Sequence, residues 1–247
     1  MSRYKVTVAY DGSSFLGWQK QSEGRTVQTE IEKILSQILD TLTPIFASGR
    51  TDAGVHALGQ VFHFDCEKPL DLGKIKYALN CLLPEDIHIL SIEEVDSDFH
   101  ARYGVVKKHY RYLLNMGEAN PLQRQYRYEM HQRLDVVKMK EAAVLFLGTQ
   151  NFMNFTSKEE DEDKFTRTLY SLNIAVENDV VTFDLIGQGF MRYMARMIVG
   201  TLVAIGQGKE DLSFVSEMLH RETRKIISYK APSQGLYLVH VSYGEDD

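Results

Sequence analysis

Two hydrophobic periods interleave along this chain, and together they confine it to folds that mix strands with helices. In residues 4–10, Tyr4, Val6, Val8 and Tyr10 alternate with Lys5 and Thr7, the two-residue period of a half-buried strand. Behind Thr26, a residue suited to an N-cap, Val27, Ile31, Ile34, Leu35, Ile38 and Leu39 recur at helical spacing, which predicts an amphipathic helix over 27–40. The same reasoning predicts strands at 58–65 and 87–95, with a helix at 72–82 behind Asp71. The pattern restarts between Asp98 and Gly104. Beyond it, strands are predicted at 109–116, 125–130, 168–177, 180–186 and 236–243, and helices at 136–147, 190–205 and 211–220. Several successive strands have hairpin-length links, so an α+β architecture with largely antiparallel sheets is expected rather than a doubly wound parallel one. The restart divides the chain into expected domains at 1–104 and 105–247.

Charge narrows the function classes. The net charge of −6 counts against nucleic-acid binding, but its distribution is uneven. Residues 101–140 carry nine basic side chains against three acidic ones, and Arg221, Arg224, Lys225 and Lys230 form a second basic run. The acidic residues collect at Glu159–Asp163, read as a loop, and at Glu245–Asp247. No run of eighteen apolar residues predicts a membrane span. The start reads directly into a strand without an export signal. Cys66 and Cys81 are too few for a disulfide framework or a zinc site and read as small core hydrophobes. A reducing cytoplasm is the expected setting.

Three stretches carry candidate chemistry. The string Ala47-Ser48-Gly49-Arg50-Thr51-Asp52-Ala53-Gly54-Val55-His56 sets Asp52 on a glycine-flanked turn at the start of a strand, two residues after Arg50. Such an aspartate alone is usually a turn former. The strand Lys107-Lys108-His109-Tyr110-Arg111-Tyr112 interleaves aromatics with cations, a pattern that either stacks bases and pairs phosphates or simply packs its tyrosines inward. The predicted helix at 190–205 is apolar almost all round, yet carries Arg192 and Arg196. A buried arginine needs an anionic partner, a part Asp52 can fill, unless it snorkels to solvent. The loop Asp11–Gln19 holds the single tryptophan, Trp18, either as a polar recognition element or as a packed anchor.

Taken in order, YDGSSFLGWQKQ, GRTDAGVHALGQVFHF, FHARY with HYRYLL, GFMRYMARMIVGTL and APSQGLYLVHVSY resemble the TruA family of tRNA pseudouridine synthases over residues 4–243. The resemblance implies a pseudouridine synthase fold of two mixed α/β domains with a cleft between them. It implies an isomerase acting on uridines 38, 39 and 40 of the tRNA anticodon stem-loop, as a homodimer without cofactor or metal. Asp52 matches the family's catalytic aspartate, and Tyr110 the tyrosine that lies against the target uracil. Arg196 matches the arginine that pairs with the aspartate, and Arg50 the one that helps displace the uridine. Departures occur at Ala47-Ser48 and at Asn120–Arg124, neither touching the reactive carboxylate.

Isomerisation agrees with what the sequence lacks: a phosphate-binding loop ending in Lys-Ser/Thr, a dinucleotide fingerprint, and metal-ligand spacing among the eight histidines. Two other readings compete. A catalytically silent tRNA-binding paralogue needs only the basic and aromatic residues. An unrelated hydrolase needs a second carboxylate or a metal beside Asp52, and no motif supplies either.

Overall fold

The computed structural model describes residues 1–157 and 165–244, so the acidic segments predicted at Glu159–Asp163 and Glu245–Asp247 lie outside the described residues. In chain order the first elements are β1 (Ser2–Tyr10), α1 (Val27–Leu39), β2 (Phe46–Ala47), β3 (His56–Cys66), α2 (Leu72–Leu82) and β4 (Ile87–Val95). Next come β5 (Lys107–Asn115), β6 (Tyr128–Glu129), α3 (Val136–Val144), β7 (Gly148–Asn151), β8 (Thr166–Glu177) and β9 (Val180–Gly187). The described chain closes with α4 (Met194–Gly206), α5 (Leu212–His220) and β10 (Leu236–Ser242). Contacts group Met1–Val106 with the segment from Tyr237 onward as one compact unit, and Lys107–Leu236 as a second. The sequence division at 104/105 set the last strand with the residues before it, whereas this grouping sets the segment from Tyr237 onward with the first unit.

In the first unit β1 runs antiparallel to both β3 and β4, with Tyr4 opposite Phe64 and Val6 opposite Phe62 and Ile92. Tyr4, Val6 and Val8 are fully buried, as the alternation requires. β10 joins β3 in parallel, Tyr237 opposite His56, and β2 adds an antiparallel ribbon at Phe46–His63. Helix α1 is capped by Thr26, whose hydroxyl accepts the Thr29 N–H, and buries Val27, Ile31 and Leu35. Asp71 caps α2 in the same way. Both partners of β1 lose register between Thr7 and Tyr10. Such irregularities end pairing and re-aim the chain, and here they deliver it into the loop that begins at Asp11. Of the two cysteines, Cys66 is buried and Cys81 exposed, so only the first is a core hydrophobe.

In the second unit β9 lies between β5 and β8, antiparallel to each, and β7 extends the sheet beyond β8. Tyr110 faces Leu185 and Tyr112 faces Phe183 across the β5–β9 ladder. The β8–β9 hairpin turns at Asn178 and Asp179, both with positive φ, the left-handed pair that a two-residue turn of primed type demands. Helix α4 is buried along nearly its whole length and packs on α3, where Gly206 admits the Met139 side chain. The α+β class and the largely antiparallel pairing agree with the expectation.

Three predicted elements change length for local reasons. The strand expected at 125–130 shrinks to two residues, because Tyr126 donates its N–H to Gln123 O at 2.9 Å and prolongs a turn. Helix α3 stops at Val144, since Leu145, Phe146 and Leu147 bond to carbonyls three residues back, and Gly148 reverses the chain at φ +83°. The helix expected from 190 starts at Met194 because Tyr193 sits at φ +63°. The short strands β2 and β7 have too few residues to show a period. No helix among the described residues is long and apolar enough to cross a membrane.

Candidate active site

The turn that carries Asp52 is built from two strings that meet in space. Val55 donates its N–H to Asp52 O at 3.2 Å, and Gly54 takes φ +75°. A left-handed third residue is the signature of a type II turn. Asp52 heads this turn and is half-buried. Upstream, Ser48 is fixed by its N–H to Val61 O (2.8 Å) and its hydroxyl to Gln60 Oε1 (2.6 Å), while Gln60 Nε2 donates to Gly49 O (3.0 Å). Gln60 is fully buried, and its bond to the Ser48 hydroxyl is shielded from water. The Thr51 hydroxyl shares a 2.8 Å hydrogen bond with Tyr10 OH, whose burial raises its pKa and keeps it a neutral phenol.

The loop after β1 holds the other side of the turn. Trp18 N–H donates to Thr51 O (3.1 Å), Gly54 N–H to Phe15 O (3.3 Å), and Gly12 N–H to His56 Nδ1 (3.1 Å). Two glycines make this approach possible. A Cβ on Gly12 would fall 2.0 Å from Val55 O, and one on Gly17, at φ +98°, 2.5 Å from Thr51 O. Trp18 is 1% exposed and packs between Tyr10 and Phe62, so it is the packed anchor of the two readings offered by the sequence. His56 is buried with its ring stacked on Tyr237 at 4.7 Å. Arg50 is exposed, and its Nε donates to Gln19 Oε1 at 3.0 Å. Gln19 in turn donates to Gln28 of α1 at 2.9 Å, a side-chain relay that holds the guanidinium over the loop.

Elsewhere in this unit, His63 is a structural histidine. It accepts the Ala101 N–H at 3.2 Å, and burial beside Arg3 lowers its pKa to about 4, so it is neutral near pH 7. That bond fastens the FHARY string to β3.

The second unit sorts the mixed strand β5 by face. Tyr110, Tyr112 and Leu114 point inward. Tyr112 is fully buried, with its hydroxyl donating to Pro232 O at 2.9 Å. Tyr110 is 8% exposed and meets Phe190 edge-to-face at 4.9 Å. On the other face His109 Nε2 lies 2.6 Å and Arg111 Nε 2.9 Å from Asp184 of β9. On this face His109 and Arg111 therefore both meet a carboxylate of the neighbouring strand. Similar pairing reduces the basic stretch 101–140, where Arg127 bonds Glu129, Arg133 bonds Asp179 and Lys138 bonds Asp135.

The two helical arginines part company. Arg196 is half-buried on α4, its Nε donating to Ala231 O at 2.8 Å. Arg192 precedes the helix and is exposed, so the expectation of two arginines on one buried helix fails for it. The break at Tyr193 is the reason. Asp52 and Arg50 thus belong to the first unit, Tyr110 and Arg196 to the second. Gln19, Phe190 and Tyr193, which the sequence reading did not single out, touch Arg50, Tyr110 and Arg196 respectively. Among the described residues, no group of three or more His, Cys, Asp or Glu side chains is placed to hold a metal ion.

A family model described as tRNA pseudouridine synthase matches residues 6–104 and 142–244. The chain belongs to the TruA family of tRNA pseudouridine synthases. The tRNA pseudouridine synthase A of Listeria monocytogenes is 44% identical over 249 residues, which cover 98% of this chain and all of the relative. The tRNA pseudouridine synthase A 1 of Bacillus cereus is 42% identical over 245 residues, covering 98% of this chain and 99% of its own. That of Anoxybacillus flavithermus is 42% identical over 244 residues, with the same coverage. The TruA family match spans Asp52, Arg50 and Arg196; Tyr110 lies between the two matched segments.

Proposed function

We propose that this protein converts uridine to pseudouridine in tRNA, with the Asp52 carboxylate as its reactive group. The observation that carries the reading is the turn at Asp52, clamped from both sides by backbone bonds to Phe15, Trp18 and Val61. Clamping of this kind keeps a reacting group in place without reorganisation. The reaction breaks the bond between uracil N1 and ribose C1′ and makes one from C5 to the same carbon. Nothing is oxidised and no group donor is used. An ionised carboxylate serves attack on the base, attack on the sugar, or removal of a ribose proton, and the proposal holds for each.

The other roles follow the residues carried over from the family. Arg196 is the cation that keeps the carboxylate ionised, its guanidinium oriented by Ala231 O. Arg50, held at the loop surface by Gln19, braces the helix from which the uridine is extruded. Tyr110 is the face against which the detached uracil rests until it is rejoined. Its edge-to-face contact with Phe190 fixes the ring plane. The family resemblance supports the anticodon stem-loop as target, a homodimer as the working form, and the cytoplasm as the setting.

Pseudouridine mapping in tRNA from cells with and without the gene tests the target. Signals at uridines 38, 39 and 40 are expected to vanish on deletion; their persistence would reject the assignment. Tyr110→Phe is expected to keep most activity, and Tyr110→Ala to lose far more, since a stacked base is worth about 1–3 kcal/mol, roughly 5–150-fold. Single-turnover assays on a tRNA transcript compare the two. Equal losses would show that the hydroxyl, and not the ring face, is what counts.

A further inference from the structure

Three cations converge on the Tyr193 ring. Lys230 Nζ lies 4.4 Å from its centroid, the Arg192 guanidinium 4.8 Å and that of Arg196 5.4 Å. Arg192 also donates to the Tyr193 hydroxyl at 2.9 Å. The ring is offered from a strained backbone, for Tyr193 sits at φ +63°, the left-handed region that non-glycine residues adopt at a cost. Several cations elsewhere in this unit are neutralised: Arg111 by Asp184, Arg127 by Glu129, Arg133 by Asp179 and Arg221 by Glu217. Arg192 and Lys230 are different. Both are exposed, and among the described residues neither pairs with a carboxylate. Like charges gathered on one ring repel each other, and an anion relieves that repulsion.

The cluster is also held in place. The Arg192 carbonyl accepts the Thr156 hydroxyl at 2.9 Å. Lys230 rides on a segment strapped to α4 by Ala231 N–H donating to Arg196 O at 3.0 Å, and Tyr229 OH donates to Glu210, beyond the end of that helix, at 2.7 Å. Gly200 lets this strap lie on the helix: a Cβ there would fall 2.8–2.9 Å from the backbone of Tyr229, Lys230 and Ala231. Phe190, two residues before Arg192, is the ring that meets Tyr110. Arg192 therefore stands on the same segment as the contact that orients Tyr110, and Lys230 joins it across the Tyr193 ring.

We infer that Arg192 and Lys230, seated on Tyr193, bind an RNA phosphodiester next to the nucleotide whose base meets Tyr110. The inference rests on the proposed action on RNA, and its test separates the two. Binding of an unmodified tRNA transcript is measured over a salt series for the wild type, for Arg192→Gln/Lys230→Gln and for the charge-conserving Arg192→Lys/Lys230→Arg. Because each phosphate contact adds roughly 0.7–0.9 to the magnitude of the slope of log K against log salt, the neutral pair is expected to lower that magnitude by about 0.7–0.9. Its Kd should rise about 5- to 30-fold, while the charge-conserving pair restores the slope. Both side chains are exposed, so the unfolding midpoint is expected to stay at the wild-type value. Unchanged affinity and slope in the neutral pair would overturn the inference, as would a slope that the charge-conserving pair fails to restore. Pseudouridine formation by the wild type on the same transcript reports on the activity separately. A wild type that binds with the charge-dependent slope yet makes no pseudouridine sinks the enzyme reading and leaves this contact standing.

Discussion

Asp52→Asn is expected to abolish pseudouridine formation while the protein still binds tRNA. The substitution is nearly isosteric, removes the negative charge and exchanges one acceptor oxygen for an amide donor. The turn itself survives, because the bond that closes it runs from Val55 N–H to the backbone carbonyl of residue 52 and not to the side chain. What disappears is the only carboxylate assigned to the reaction. Loss of a positioned acid–base group typically costs about 10²–10⁴-fold in rate, and loss of a nucleophile is at least as severe. Single-turnover assays on a tRNA transcript should show a decrease of at least about 10²-fold, with binding measured in parallel. A variant that keeps more than a few per cent of wild-type turnover would remove Asp52 from the chemistry. The protein would then be read as one that grips RNA without altering it.

Gly12→Ala is expected to damage both stability and turnover, although residue 12 makes no contact assigned to substrate. Its added methyl would fall 2.0 Å from Val55 O and 2.5 Å from Val55 C, so backbone must move. Overpacking of this sort costs about 1–3 kcal/mol, and in a protein of this size each kcal/mol lowers the melting temperature by about 2–4 °C. The atom displaced belongs to the residue that closes the Asp52 turn. A shift near 1 Å in a positioned reacting group can cost about 10²-fold, so turnover should fall further than stability explains. Gly73→Ala is the control. Its methyl meets nothing closer than 3.5 Å, and the site lies in the first turn of α2, where alanine is favoured over glycine by about 1 kcal/mol. Differential scanning calorimetry and the tRNA assay read the two effects. A Gly12→Ala protein with wild-type midpoint and turnover would mean that the loop after β1 does not hold the turn.

The elements legible from sequence were those whose cause is local. β1 was visible because Tyr4, Val6, Val8 and Tyr10 alternate with Lys5 and Thr7, and α1 because its apolar residues recur behind a capping threonine. The aspartate caps of α2 and the glycine reversal after α3 were readable for the same reason. The beginning of α4 was not. Phe190, Met191 and Tyr193 continue the apolar pattern, yet Tyr193 takes a left-handed backbone that periodicity does not encode. That single torsion moves Arg192 from a buried helix to an exposed cluster.

The candidate site divides in the same way. The sequence by itself determined the family, the residue types of the site and the placing of Asp52 on a glycine-bearing turn, because these reside in contiguous strings. Only the tertiary structure decided that residue 12 must be glycine to pass residue 55, that Asp184 takes both His109 and Arg111 as partners, and that Tyr112 belongs to the core while Tyr110 stands against Phe190. The physical reason is one of range. Backbone preference and hydrophobic period are set by neighbours a few residues apart, whereas a charge is paired, or a methyl excluded, by atoms tens of residues distant along the chain.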